Sequence, residues 1–110
     1  ESSRLACEEI FGPVMTIFKF KTVEEVVELA NATDYGLAGA ILTKDIRIAS
    51  LVADQMETGT IFINHYHGAM VTAEFGGYKM SGFGREGGEE SVLGWTQSKS
   101  VFINLANRNI

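Results

Sequence analysis

Six consecutive residues, LAGAIL at positions 37–42, have no polar face. A strand of this kind is covered on both sides, which is typical of a parallel sheet. An amphipathic stretch follows at residues 45–57, ahead of Gly59, and residues 60–64 (TIFIN) read as another strand. The inward positions of the intervening helix are Ile46, Ala49, Ala53 and Met56. The order strand, helix, strand predicts a parallel crossover, with Gly59 ending the helix.

The preceding residues repeat this order. Residues 14–20 (VMTIFKF) are rich in β-branched and aromatic side chains and follow Gly12-Pro13, so they predict a strand that leaves a turn. Thr22 and Glu25 match a capping box at a helix start. The predicted inward face is Val23, Val26, Val27 and Ala30. The whole pattern is β-α-β-α-β, an α/β fold with both helices on one face of a parallel sheet and further protein against the other.

The rest of the chain contains no second pair of long amphipathic helices. It holds a glycine-rich stretch, a short helix predicted near residues 89–95 and a final strand predicted at 99–105. A terminal strand presents an unpaired hydrogen-bonding edge, which proteins cover or pair. The partner is either this chain's own sheet or another subunit.

Composition excludes several classes of function. The chain of 110 residues has a net charge of −5 and a pI near 4.9, which argues against binding nucleic acid or an anionic membrane. It contains one cysteine and no apolar run near the roughly 18 residues that a membrane helix needs, so we expect a reducing, cytoplasmic location. His65 and His67 supply two ligands at most, so we expect no metal site.

Six of the twelve glycines fall between Gly76 and Gly88, and residues 82–87 (GFGREG) have the spacing of a dinucleotide-binding loop. Such a loop follows a buried strand, whereas YKMS precedes this one, and no acidic residue ends the next predicted strand. A loop with several positive-φ turns is the favoured interpretation. A minimal dinucleotide-binding protein built on residues 82–87 is the alternative.

Two segments together resemble a known family. EEIFGPV at residues 8–14 and FGGYKMSGFGRE at residues 75–86 are similar to motifs of the NAD(P)-dependent aldehyde dehydrogenases, and the connecting residues follow the same family. The resemblance implies that residues 1–97 are the C-terminal part of a catalytic domain and that 98–110 form an oligomerisation strand and tail. It implies a homo-oligomer, a dimer or tetramer, joined through 98–105.

The resemblance also implies site residues. Glu9 resembles the carboxylate that accepts hydrogen bonds from the nicotinamide-side ribose of NAD or NADP, and Phe11 resembles the aromatic residue beside it. Phe75 resembles the wall of the aldehyde pocket, and His65 falls where the family lines its aldehyde tunnel. Glu86 resembles a carboxylate used for proton relay or for positioning a cation or water. Without the resemblance, Glu9 reads as solvated surface, and an ion pair of Glu86 with Arg85 or Lys79 is as good an interpretation.

The implied reaction oxidises an aldehyde to a carboxylate through a cysteine thiohemiacetal and thioester. The resemblance implies that the nucleophilic cysteine lies upstream of these residues, so Cys7 is not that nucleophile and the 110 residues alone are expected to be inactive. Cys7 is predicted to be a small buried hydrophobe. We expect a piece of a longer protein; the alternative is a free-standing, non-catalytic interaction module.

Ala73-Glu74 stand where the family usually has Pro before the Phe-Gly-Gly, and Ala69 stands where it often has an aromatic residue. A charged tunnel mouth favours a small, polar or cationic aldehyde.

Overall fold

The computed structural model describes residues 3–66, 68 and 71–105, and within these ranges the chain forms four helices and four strands. His67 and Ala69 lie outside the described residues. In chain order the elements are α1 (Arg4–Cys7), α2 (Val23–Asn31), β1 (Tyr35–Gly36), β2 (Ala38–Ile41), α3 (Ile46–Gln55), β3 (Thr60–Ile63), β4 (Tyr78–Lys79) and α4 (Glu90–Leu93).

The central unit is β2-α3-β3. Strands β2 and β3 are parallel, in a register that runs from Ala38 opposite Thr60 to Ile41 opposite Ile63. Helix α3 makes the crossover between them and packs against β2. The predicted parallel pairing of these two strands is confirmed, and it follows from an apolar run followed by a capped amphipathic helix.

Both long helices begin with a side-chain cap, and the cap at Thr22 was predicted. The Thr22 hydroxyl accepts a hydrogen bond from the Glu25 amide at 3.2 Å, and the Glu25 carboxylate accepts one from the Lys21 amide at 2.7 Å. At α3, the Asp45 carboxylate accepts from the Arg47 amide at 2.9 Å. Hydrogen bonds from Arg47 lower the pKa of Asp45, so this cap is charged at neutral pH and is lost only in acid.

A small apolar contact joins α2 to α3. Among the described residues, the buried hydrophobic side chains are Val27 of α2 and Ala49 and Val52 of α3. The predicted inward face of α2 is confirmed at Val27. On α3 the prediction was wrong in detail, because Ile46 is 69% exposed and Val52, which was not predicted, is buried. Ile46 is the first residue of α3, whereas Ala49 and Val52 lie on its middle turns.

The strand predicted at residues 14–20 is not formed. This segment has no strand assignment, and its apolar side chains, such as Met15 and Ile17, are more than 70% exposed. The Thr16 hydroxyl donates to the Leu5 carbonyl at 3.1 Å, which ties the segment to α1 and not to the sheet. A strand requires hydrogen bonds to a neighbour, and the described residues supply none here. The predicted three-stranded β-α-β-α-β unit was therefore wrong for this chain, which forms one β-α-β unit.

The final strand predicted at 99–105 is also absent. Residues 96–105 have no helix or strand assignment, and the side chains of Val101, Phe102, Ile103 and Leu105 are exposed. Pairing with the chain's own sheet, one of the two alternatives, is therefore wrong for the described residues. The short helix predicted near 89–95 is confirmed as α4 (Glu90–Leu93).

The described fold is open. Its radius of gyration is 21.3 Å and its extents are 78 × 33 × 25 Å. A compact domain of this length has a radius of gyration of about 13 Å. Within the part of the chain that the structure describes, no helix has both the length and the apolar character needed to cross a bilayer.

The cap at Thr22 provides a test of this architecture. Thr22→Ala removes the acceptor of the Glu25 amide and is expected to destabilise the protein by about 0.5–2 kcal/mol. Thr22→Ser keeps the acceptor oxygen and is the control. Urea denaturation followed by circular dichroism measures the difference, and equal midpoints for Ala and Ser would contradict the assigned cap.

Candidate functional site

Two adjacent carboxylates follow α1, and the structure treats them differently. The Arg4 guanidinium makes a bidentate ion pair with Glu8, with Nε–Oε1 at 3.0 Å and Nη2–Oε2 at 2.7 Å. Hydrogen bonding to Arg4 lowers the pKa of Glu8, and the same bond raises the pKa of Arg4. Because the pKa of Glu8 is lowered, this pair is present at neutral pH and is lost as the pH falls through that lowered pKa.

The carboxylate of Glu9, unlike that of Glu8, is not held by an ion pair with a described residue. Its side chain is exposed, and no described residue makes a hydrogen bond or ion pair with it. It lines an open cleft of about 530 Å³ between α1 and the start of β1, together with Cys7 and Tyr35. Phe11 is 95% exposed two residues further on. The arrangement offers two carboxylate oxygens and a nearby aromatic ring to a ligand with hydroxyl donors.

Phe75 and Glu86 are brought together by the backbone. Each donates its amide to the other's carbonyl, both at 2.7 Å, in an isolated antiparallel bridge. Both residues line a second open cleft, of about 630 Å³, which runs between the glycine-rich stretch and α4. The structure therefore places Phe75 and Glu86 on one cleft and Glu9 on another.

The ion pair considered for Glu86 is not formed. Arg85 donates through Nη1 to the carbonyl of Gly77 at 3.2 Å and to that of Gly84 at 2.7 Å, and its guanidinium lies 5.6 Å from the centre of the Tyr78 ring. Lys79 pairs instead with Glu57 at 2.6 Å. The exposed Glu86 carboxylate is left without a bond to any described residue, so it remains open to water or a ligand.

The backbone of the glycine-rich stretch is unsuited to a dinucleotide fingerprint. Gly82, Gly84, Gly87 and Gly88 have positive φ values of 114°, 81°, 68° and 59°. The strand before them is the two-residue, exposed β4, and α4 starts only at Glu90, after the last glycine of the spacing. A fingerprint needs a buried strand before the loop and a helix opening at its last glycine. The structure thus argues against the minimal dinucleotide-binding alternative.

His65 and Cys7 occupy other positions. His65 follows β3 and packs edge-on against Phe62, with ring centroids 5.1 Å apart, and lines neither of the two clefts described above. Cys7 is exposed at the end of the single-turn helix α1, so the prediction that it is buried was wrong. In the described part of the chain, no group of three or more His, Cys, Asp or Glu side chains is placed to hold a metal ion.

The sequence matches the aldehyde dehydrogenase family over residues 1–101. The chain belongs to that family. It is 49% identical over 109 residues to human retinaldehyde dehydrogenase 3, covering 99% of this chain and 21% of the relative. The chain therefore spans about a fifth of the length of the curated relatives it matches.

Solved structures of family members have the same fold. Betaine aldehyde dehydrogenase from Staphylococcus aureus, in complex with NAD+, is 40% identical, with a TM-score of 0.82 over 97% of this chain and 23% of that one. A mutant of the indole-3-acetaldehyde dehydrogenase of P. syringae, in complex with NAD+ and IAA, is 42% identical, with a TM-score of 0.87 over 94% of this chain and 21% of that one. The described elements thus have the arrangement found in this part of aldehyde dehydrogenases.

Sequence reasoning missed the polar contacts that hold the second cleft. The Ser81 hydroxyl accepts a hydrogen bond from the Gly36 amide at 2.9 Å, and the Lys79 ammonium donates to the carbonyl of Asn31 at 2.8 Å. Both residues belong to the FGGYKMSGFGRE motif, but their partners lie more than forty positions earlier in the chain. No periodicity or local spacing signals a contact at that separation.

The backbones of Gly59 and Gly76 approach each other closely, and a substitution at Gly59 tests this contact. A Cβ on Gly59 would overlap the carbonyl oxygen of Gly76, so the neighbouring loop requires glycine at this position. The prediction that Gly59 ends α3 was wrong, because α3 ends at Gln55. Gly59→Ala is expected to displace residues 75–86 from β3. Gly12→Ala, where a Cβ meets nothing within 4 Å, is the matched control.

Hydrogen exchange followed by mass spectrometry reads the displacement. Faster exchange of residues 75–86 in Gly59→Ala, with Gly12→Ala unchanged, is the expected result. Equal protection in both variants would contradict the observed packing of this loop on Gly59.

Proposed function

We propose that this chain is part of an enzyme that oxidises an aldehyde to a carboxylate with NAD or NADP. The observation that carries the proposal is the exposed Glu9 carboxylate, which has no partner among the described residues, in a cleft where the neighbouring Glu8 is already paired with Arg4. Membership of the aldehyde dehydrogenase family supports the reaction class. Two structural relatives are named as complexes with NAD+, which supports the cofactor.

The residues present fit a ribose of the cofactor. Two adjacent ribose hydroxyls are two donors, and the two oxygens of an ionised Glu9 are matching acceptors that no described residue occupies. Phe11 offers an exposed face to the adjoining nicotinamide end. When bound, the cofactor supplies the hydride acceptor, and the contribution of these residues is to orient it.

Phe75, His65 and Glu86 belong to the aldehyde side of the proposal. Phe75 would form a wall of the pocket and His65 would line the approach to it. Glu86 would relay a proton or position a water or cation. The open carboxylate of Glu86, next to Phe75 on one cleft, supports this division of roles.

In this proposal, the nucleophilic cysteine of the enzyme lies outside these 110 residues. The proposed reaction proceeds through a thiohemiacetal and a thioester on that cysteine, not on Cys7. The small buried core and the large radius of gyration also favour a chain that folds with further protein over a free-standing module. The cytoplasmic location stays part of the proposal, as does the absence of nucleic-acid and membrane partners.

The relatives above are named for retinaldehyde, betaine aldehyde and indole-3-acetaldehyde, which differ in size and charge. Glu74, exposed beside Phe75, favours a small, polar or cationic aldehyde.

Subunit contact through residues 98–105 completes the proposal. Their apolar side chains are exposed and have no strand partner among the described residues. An extended segment with unpaired amides and carbonyls is a template for pairing with another chain. A homo-oligomer, dimer or tetramer, would provide that pairing.

Substitution of Glu9 tests the cofactor contact in the full-length enzyme. Glu9→Gln replaces one acceptor oxygen with a donor that faces a hydroxyl, and the loss of one charge-assisted bond costs roughly 1.5–3 kcal/mol. Weaker NAD+ binding by calorimetry and a slower hydride-transfer step are expected. Glu8→Gln is the matched control, because Arg4 already occupies that carboxylate. If Glu9→Gln binds and turns over like the wild type, the ribose assignment is wrong.

Truncation tests the subunit contact. Deleting residues 101–110 from the full-length enzyme removes the apolar segment and is expected to dissociate the oligomer or leave insoluble protein. Deleting only 106–110 is the control. Light scattering gives the assembly state, and an unchanged, fully soluble oligomer after the longer deletion would refute intersubunit pairing.

A further inference from the structure

The ammonium of Lys79 has three polar partners within this chain. Its Nζ lies 2.8 Å from the Asn31 carbonyl, 3.2 Å from the Thr33 carbonyl and 2.6 Å from the Glu57 carboxylate. Only 25% of the Lys79 side chain is exposed. An ammonium has three donors and no acceptor, and here it makes two hydrogen bonds to carbonyls and an ion pair with a carboxylate. We call Lys79, Asn31, Thr33 and Glu57 the lysine anchor.

The lysine anchor lies where two helices end. Asn31 is the last residue of α2, whose terminal carbonyls lack partners within the helix and favour a cation. The Asn31 amide donates to the Gln55 carbonyl at 2.8 Å, and its oxygen accepts from the Glu57 amide at 2.9 Å. One side chain thus ties the end of α2 to the end of α3, and Lys79 binds both sides of that junction.

Lys79 belongs to the stretch that carries Phe75 and Glu86. Its own backbone has φ of 51°, a left-handed conformation that costs energy outside glycine and persists only when neighbouring contacts hold it. Strand β4 pairs with β1, and the Met80 amide donates to the Asp34 carbonyl at 2.8 Å. The segment around Lys79 is therefore fixed on residues 34–36 by backbone bonds and on the helix ends by the ammonium.

Further contacts connect the segment around Lys79 to the second cleft. Arg85 returns to the carbonyl of Gly77 and stacks on Tyr78, the neighbour of Lys79. The Phe75–Glu86 bridge then closes the segment from 75 to 86. Residues 75–86 thus form a ring whose fixed side is at Lys79 and whose opposite side presents Phe75 and Glu86 to the cleft.

We propose that Lys79 is a positioning residue that, through Glu57 and Asn31, sets the place of Phe75 and Glu86 in the aldehyde pocket. The inference rests on the proposed function for the roles of Phe75 and Glu86. Glu9 lies on a different segment, and Thr33 is the one residue of the lysine anchor that lines the Glu9 cleft, so we expect the anchor to act mainly on the aldehyde side.

Lys79→Met in the full-length enzyme is the main test, because methionine keeps most of the side-chain volume and removes all three donors. Hydrogen exchange in residues 75–86 is expected to accelerate, while α3 is unchanged. The KM for acetaldehyde, used as the test aldehyde, is expected to rise about tenfold, equivalent to about 1.4 kcal/mol. The Kd for NAD+ is expected to stay within about twofold of the wild type, a shift well below that tenfold unit.

Two further variants complete the test, one control and one second substitution in the anchor. Lys44→Met, the control, removes a lysine that lies exposed between β2 and α3 and is expected to change none of the three readouts. Glu57→Gln keeps an acceptor oxygen for Lys79 but removes the charge, so its effects should have the same direction as those of Lys79→Met and a smaller size. Because Glu57→Gln leaves the two carbonyl contacts in place, it also decides the matter if Lys79→Met does not fold.

The outcomes separate the two proposals. Unchanged exchange in residues 75–86 in both anchor variants overturns the lysine anchor. Faster exchange with an unchanged acetaldehyde KM also overturns the positioning role of Lys79. If the KM for acetaldehyde and the Kd for NAD+ rise together, the effect is general and the inference fails. Failure of the proposed function is read separately, from Glu9→Gln.

Discussion

The side-chain amide of Asn31 holds the two long helices at their C-terminal ends, and the rest of the fold depends on that junction. It donates to the carbonyl of Gln55 and accepts from the amide of Glu57, both within 2.9 Å. The apolar contact between the same helices involves only Val27, Ala49 and Val52 as buried side chains. With so little apolar area removed from water, polar contacts of fixed direction determine how α2, α3 and the strands between them are arranged.

The geometry of the two clefts depends on different parts of the fold. Glu9 owes its availability to a local event, the bidentate pairing of Arg4 with Glu8 across one helical turn. Phe75 and Glu86 owe theirs to contacts with residues far away in the sequence, through Lys79, Ser81 and the backbone approach to Gly59. In the proposed enzyme, the cofactor side is therefore set by short-range chemistry and the aldehyde side by tertiary packing.

The exposed apolar segments have a common physical origin. Residues 14–20 and 99–105 have strand compositions, yet neither forms a ladder within the described chain. A strand exists only when a neighbour supplies donors and acceptors, and here the neighbouring edges are absent. Family members whose structures share this fold are more than four times as long as this chain, which covers 21–23% of them. The openness of the fold is what a segment of such a protein would show.

The sequence by itself determined several features that depend on a few neighbouring residues. Thr22 and Asp45 mark the helix starts, the apolar runs at β2 and β3 mark the parallel pair, and the two motifs identify the family. Only the tertiary structure decided that Ile46 is exposed and Val52 buried, that Gly59 serves the neighbouring loop, and that Cys7 is exposed. It alone revealed that Lys79 binds Glu57 and the end of α2 and leaves Glu86 free of that ion pair. Caps and apolar periodicity act over one or two turns of chain, whereas ladder partners, close backbone approach and the targets of a lysine are set by residues brought together only on folding.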